Sequence, residues 1–249
     1  MRAVEKALRV LRLFSEDHPQ WSLADIARAL GLPKSTTFGL LRTLHSCGLL
    51  EAAGPGVYRL GMEAIKLGYV ARVSLQLPRF VLALMEDVLE KTGQIVYLAV
   101  PYDGRVLYVE ALYPPKRRVP YSAVGRTAPM HCTALGKAML AHMDPEQVRD
   151  IVRRHGLPRF TENTLTDPDA LEAELEQVRR QGYARDRREH DPMVACVAVP
   201  VWARNRQLAG ALSVSGPFSV FTDAAAAQFA EILIHTSGEL TRYIARPIA

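Results

Sequence analysis

Cysteine is scarce in this chain. Three occur in 249 residues, Cys47, Cys132 and Cys196, far apart and with no C-x-x-C pair. An odd, scattered set excludes a disulfide framework and argues against a zinc finger, and it fits a reducing cytoplasm. Long apolar runs are also missing. None approaches the ~18 residues of a membrane span, and Met1 to Lys6 lacks the apolar stretch of a signal peptide. The expected compartment is therefore the cytoplasm, with no membrane contact. Neither disorder nor a collagen-like repeat fits, because 49% of residues are hydrophobic and 23% charged, ordinary globular values. The length exceeds one typical domain and suits two.

The charge excess is small and unevenly placed. The total is +5. Residues 1–74 carry ten basic and six acidic groups, so +4 sits in the first third of the chain. The other residues are nearly balanced. A basic segment permits a polyanionic partner without establishing one.

The pattern within that segment is more specific. Apolar residues from Val4 to Phe14 fall at helical spacing. Asp17 to Trp21 breaks the helix. Ser22 then serves as an N-cap, with Asp25 at the positive helix end. A second helix runs through Ile26, Ala27 and Leu30 and stops at Gly31. Pro33 opens a third, from Lys34 to about Cys47, with Phe38, Leu41 and Leu44 expected to face inward. Two short helices joined by a Gly-containing turn are the helix-turn-helix pattern. Its second helix enters the major groove N-terminal end first, here Lys34-Ser35-Thr36-Thr37. Leu49–Glu51 and Val57–Leu60 read as strands around Ala52 to Gly56, a hairpin forming a wing. The candidates for contact with double-stranded DNA are Ser22, Lys34, Ser35, Thr36, Thr37, Arg42 and Arg59.

Beyond the wing, Met62 to Ser74 continues as a helix weakened by Gly68. Pro78 opens a helix over 79–91. Ile95–Val100 and Val106–Val109 read as strands joined at Tyr102-Asp103-Gly104. Pro114 to Arg118 is a loop. Helices follow at Thr133–Met143 and Asp144–His155, and Thr166-Asp167-Pro168-Asp169 caps a further helix to Arg180 that Gly182 ends, with Asp or Thr as cap and Pro in the first turn. Then come strands at Val194–Trp202 and Leu208–Ser215, and a last helix from Asp223 to Ile244. Antiparallel hairpins with interspersed helices give an α+β class. The expected domains are 1–61 (winged helix-turn-helix), 62–76 (linker helix) and 77–249 (effector binding and oligomerisation).

These residues resemble the IclR family of bacterial transcription regulators. Leu32-Pro33-Lys34-Ser35-Thr36 with Leu40, Leu41 and Leu44 is similar to its recognition helix, and Gly56 to Gly61 to its wing. Leu135-Gly136-Lys137-Ala138, the segment Val178 to Asp186, Cys196 to Val201, and Ser213-Val214-Ser215-Gly216 are similar to family segments in the same order. One departure stands out: the family has arginine in the recognition helix where this chain has Gly39. Glycine there weakens the helix by ~1 kcal/mol relative to alanine and removes a DNA contact. A bent helix or a weaker, more effector-dependent binder would each follow from it.

The resemblance implies a ligand-responsive regulator, not an enzyme. It would bind a pseudo-palindromic operator as a homodimer or homotetramer and sense a small organic effector, a carboxylate or aromatic metabolite. The implied pocket is lined by Ala134, Leu135, Asp186, Cys196, Ser213 and Ser215. The helix start at Ala134 favours an anion, the serines orient it, and Met130, Leu135 and Val194 supply apolar walls. Asp186 opposes a carboxylate unless it is protonated or binds a ligand hydroxyl or N–H.

Other chemistries have less support. The Gly-Lys-Ala segment lacks the flanks of a phosphate loop, and neither serine sits in a G-x-S-x-G elbow. An enzyme with an accessory nucleic-acid domain would use Cys196 with His131 or His190, but Cys196 lies in an apolar run. His131, Cys132, Asp186, His190 and Cys196 follow no metal-ligand spacing. No cofactor or metal is expected. A third alternative is a DNA-binding protein whose C-terminal domain only dimerises.

Overall fold

The computed structural model describes residues 2–74, 79–115 and 122–244. Pro78 and the Lys116–Arg118 part of the expected loop lie outside them, as do residues 75 and 76 of the expected linker. The chain divides into two compact units, residues 1–76 and 77–249.

In the first unit, α1 (Arg2–Leu11), α2 (Leu23–Leu30) and α3 (Lys34–Ser46) surround a small core of Val10, Ile26, Leu41, Leu44 and Leu50. α1 is shorter than the apolar spacing suggested, ending at Leu11 rather than Phe14. The Ser22 hydroxyl caps α2, accepting the Asp25 N–H at 3.1 Å and donating to the Asp25 carboxylate at 2.6 Å. Gly31, at φ +64°, ends α2 in the left-handed conformation that glycine adopts without strain. β2 (Leu50–Gly54) and β3 (Val57–Leu60) form the hairpin. A third strand, β1 (Gln20–Ser22), pairs with β3 and sets Trp21 opposite Tyr58. The sequence reading treated that segment only as a helix break. α4 (Met62–Ser74) completes the unit and buries no residue.

The second unit is α+β. Its six strands are β4 (Ile95–Tyr102), β5 (Arg105–Leu112), β6 (Thr127–Pro129), β7 (Ala184–Arg187), β8 (Val194–Trp202) and β9 (Leu208–Pro217). They form one antiparallel sheet in the order β6-β5-β4-β9-β8-β7. The short edge strands β6 and β7 were not anticipated. The helices are α5 (Arg79–Thr92), α6 (Ala134–Leu140), α7 (Pro145–His155), α8 (Pro168–Gln181) and α9 (Asp223–Thr241). Thr133 and Asp144, expected inside their helices, are side-chain N-caps, while Asp167 caps α8 as expected and Thr222 caps α9.

α6 and α8 share a core with Ala184, Ala198 and Ala211 of the sheet. Strand alternation turns Val197, Val199 and Val201 the other way, and α9 packs against β8. Every residue of α6 is buried. A Cβ at Gly136 would overlap the Met130 backbone, so glycine is what lets this helix approach the preceding strand end. Among the described residues no helix is long and apolar enough to cross a membrane.

Candidate functional sites: an exposed helix face and a cavity

The first site is α3 with the wing. Lys34 and Ser35 are exposed at its N-terminus, Thr36 is half-buried, and Arg42 is exposed about two turns further on. Arg59 is exposed on β3 and bonds Glu51 at 3.1 Å. Two expected contact residues are otherwise engaged. Thr37 is 0% exposed and its hydroxyl donates to the Pro33 carbonyl at 3.1 Å, so it belongs to the core. The Ser22 hydroxyl is committed to capping α2. Phe38 moves the opposite way: expected inside, it is 51% exposed. The small Thr37 fits the tight space between α3 and its neighbours because the preceding-turn carbonyl satisfies its hydroxyl. The register of α3 then leaves Phe38 outside. α3 passes through Gly39 without a break.

The second site is a cavity of about 260 Å³ in the second unit. Sheet register builds it. Asp186 on β7 faces Cys196 on β8, Cys196 faces Ser215 on β9, and Ser215 faces Ile95 on β4. Two residues along, Ser213 faces Tyr97. Cross-strand neighbours share a face, so these side chains line one wall. Ala134 and Leu135 enter from the start of α6, and Val194 completes the expected set. Met130 departs from it. Buried at the α6 contact, it lines a neighbouring cavity of about 250 Å³ with His131 and Phe160. Tyr97, Tyr108, Arg126, Thr133, His190 and Asp191 also line it and were not among the expected pocket residues. They arrive through strand pairing and loops, for which no local motif exists.

Electrostatics distinguish the walls. Asp186 is 4% exposed. Burial pushes its carboxyl up to about 7, against the Glu189 N–H it accepts at 2.7 Å and the nearby Lys137. It is thus half-protonated near neutrality. Burial lowers the pKa of His190, with Arg105 and Arg126 adding to the effect against Asp191. The Ser213 hydroxyl is 1% exposed and has no hydrogen-bond partner among the described residues. Cys196 donates its S–H to the Ser215 hydroxyl at 3.1 Å. Behind the wall, Lys137 is 0% exposed and bonds Glu189 at 2.6 and 2.8 Å and Glu174 at 3.0 Å. α6 has only seven residues, and Thr133 already accepts its Gly136 N–H. Its end therefore offers an anion less than the sequence suggested.

The arrangement suits binding rather than bond-making. Burial pushes the Cys196 thiol far above the usual range, with Asp186 adding to it, so the thiolate a nucleophile requires is suppressed. Cys132 is pushed up to about 12, again chiefly by burial. The His131 Nε2 is engaged with the Pro158 carbonyl at 3.0 Å. Among the described residues no three His, Cys, Asp or Glu side chains are placed to hold a metal ion.

A winged helix-turn-helix joined in one chain to a domain with a partly open cavity of mixed polar and apolar lining suits a one-component regulator. The comparisons give the family. Residues 3–54 match the IclR helix-turn-helix domain, and residues 71–242 match the bacterial transcriptional regulator IclR C-terminal domain. The chain belongs to the IclR family, whose members are transcriptional regulators and not enzymes. The enzyme alternative falls with that assignment. The chain is 34% identical to the HTH-type transcriptional regulator XynR of Escherichia coli K12 over 249 residues, 99% of this chain and 98% of that one. An IclR regulator from Silicibacter sp. TM1040 has a TM-score of 0.84 at 28% identity, covering 98% of this chain and 96% of that one. An IclR homologue from Microbacterium hydrocarbonoxydans, complexed with 4-hydroxybenzoate, has a TM-score of 0.76 at 28% identity over 96% and 99% of the two chains.

Proposed function

We propose that this regulator acts in the cytoplasm, binding a pseudo-palindromic operator as a homodimer or homotetramer, and that a small organic acid in the cavity shifts its operator affinity. The observation carrying the effector reading is the Ser213 hydroxyl, buried and without a partner among the described residues, on the wall of the cavity that Asp186 also lines. A buried polar group of this kind is a standing cost unless a ligand satisfies it. Arg126, Tyr97 and Tyr108 line the same cavity as that hydroxyl, together with the carboxyls of Asp186 and Asp191. That lining fits a carboxylate with an apolar or aromatic body. The relative holding 4-hydroxybenzoate supports this class. Met130 is not assigned to this pocket.

Lys34, Ser35, Thr36, Arg42 and Arg59 are the proposed DNA contacts. Self-association is supported by apolar side chains on α1 and α4, where Val4, Leu8, Met62, Ile65, Tyr69 and Val73 are exposed. Isolated apolar residues are common on surfaces, but an α4 that buries no residue while exposing six apolar side chains supports an interface. Two symmetric recognition helices then match two half-sites.

The test is a salt-dependent gel shift on the DNA upstream of the chain's own gene, repeated across a panel of organic acids. A sequence-specific complex that one acid strengthens or weakens is expected. Absence of any specific complex, with and without acids, refutes the reading. Thermal midpoints across the same panel identify the ligand, because a compound that binds only the folded state raises the midpoint.

A further inference from the structure

The buried stripe of α3 is Thr37, Leu41 and Leu44. At 3.6 residues per turn the outward stripe holds Ser35, Phe38, Gly39 and Arg42, at spacings of three, four and seven from Ser35. Ser35, Phe38 and Arg42 are exposed. Phe38 is thus a large apolar ring on the face that a recognition helix presents to DNA. Beside it, Gly39 has no packing reason to be glycine: a Cβ there would meet nothing within 4 Å, and its φ is not in the left-handed region. Glycine in a helix interior is destabilising relative to alanine. The chain therefore keeps an aromatic out of its core and a bare backbone next to it, both on one face.

We propose that Phe38 reads thymine: its ring packs on the C5 methyl of one thymine in each operator half-site, and Gly39 lets the groove edge come close enough for that contact. Among base edges in the major groove, the thymine methyl is the apolar feature, and phenylalanine is one of the side chains that recognises it. Water is removed from both the ring and the methyl. Lys34 and Arg42, exposed on either side of Phe38 along the helix, supply the attraction to phosphates that seats the helix. Cations and hydroxyls around the ring suit a polyanion better than an apolar protein partner. The inference rests on the DNA-binding reading above.

The experiment replaces each operator thymine in turn with deoxyuridine, which removes the methyl and keeps every hydrogen-bonding group. The full chain is titrated at fixed salt against duplexes recovered from the DNA upstream of its gene. One thymine per half-site should weaken binding about fourfold when demethylated, the worth of one buried methyl-sized group, and about fifteenfold when both half-sites are changed. Phe38→Ala should bind less tightly and lose that dependence, whereas Arg42→Ala should bind less tightly and keep it. Phe38→Leu should retain part of it. Circular dichroism should show all three folded, since both positions are exposed. Specific binding with no methyl-sensitive thymine, or sensitivity that survives in Phe38→Ala, overturns the role of Phe38 alone. Failure to bind any duplex specifically overturns the DNA-binding reading as well.

Discussion

Replacing Asp186 with asparagine isolates the energetic burden of the cavity. The carboxyl is 4% exposed, and its pKa rises from 3.8 to about 7, chiefly through burial. A folded-state pKa above the unfolded value means that folding favours the protonated form. The contribution to stability is complete below about pH 4 and is lost as pH rises through about 7. A rise of about three pH units at 1.36 kcal/mol per unit sets an upper bound of roughly 4 kcal/mol. Relaxation around the ion reduces it. The asparagine carbonyl oxygen can still accept the Glu189 N–H that Asp186 accepts at 2.7 Å, so the turn after β7 should persist. Asp186→Asn should therefore match the parent near pH 4 and exceed it by about 2–4 kcal/mol at pH 8. Scanning calorimetry of the second unit's transition between pH 4 and 8.5 measures this. A variant less stable than the parent at pH 8, or a difference that does not grow between pH 4 and 7, would refute the argument that burial of the charge controls this site.

Three further changes test neighbouring features. Ser213→Ala removes a buried hydroxyl that has no partner among the described residues; the unliganded protein should keep its stability or gain about 1 kcal/mol, and a thermal melt showing a clear loss would mean the hydroxyl is satisfied. Lys137→Met strands Glu189 and Glu174, both bonded to the buried ammonium; a loss of roughly 3–5 kcal/mol is expected in urea denaturation, with partial rescue by Glu189→Gln. Gly39→Ala meets open space in a helical backbone; the first unit should gain about 1 kcal/mol by calorimetry, and a destabilised variant would show that the backbone there is not relaxed.

What the sequence made legible follows a physical boundary. Local signals worked. The Ser22 cap with Gly31, and the Asp167, Pro168 and Gly182 set around α8, bound helices through bonds within one turn. Ser213 and Ser215, two apart on one strand, share a face through the period of two. Non-local placement was hidden. β1, β6 and β7 are three or four residues long, too short for alternation to register, and they exist because a partner strand satisfies them. Apolar spacing put Phe38 inside α3, yet Thr37 takes that place. Periodicity ranks residues by hydrophobicity and does not see a hydroxyl satisfied by its own helix. Lys137 defied its residue type for a similar reason: its two carboxylate partners lie 37 and 52 residues away. Tyr97, Tyr108 and Arg126 reach the cavity by register and loop path, which no local pattern encodes.

A costly acid on the cavity wall also predicts how an effector should be sensed. A carboxylate effector accepts a hydrogen bond from Asp186 only while that side chain is protonated. With the pKa at about 7, half of the chains carry the proton at pH 7 and about one in eleven at pH 8. Apparent affinity should therefore fall about fivefold over that unit and approach tenfold per unit beyond it, because ligand binding draws only on the competent fraction. An effector that instead donates a hydroxyl or N–H to the ionised carboxylate shows the opposite slope, binding better as pH rises from 6 to 8. Titration calorimetry over this range thus reports the chemistry that meets Asp186 before the pose is known. Asp186→Asn should flatten the profile in either case. A slope that persists in Asp186→Asn would move the pH sensing to another group in the lining.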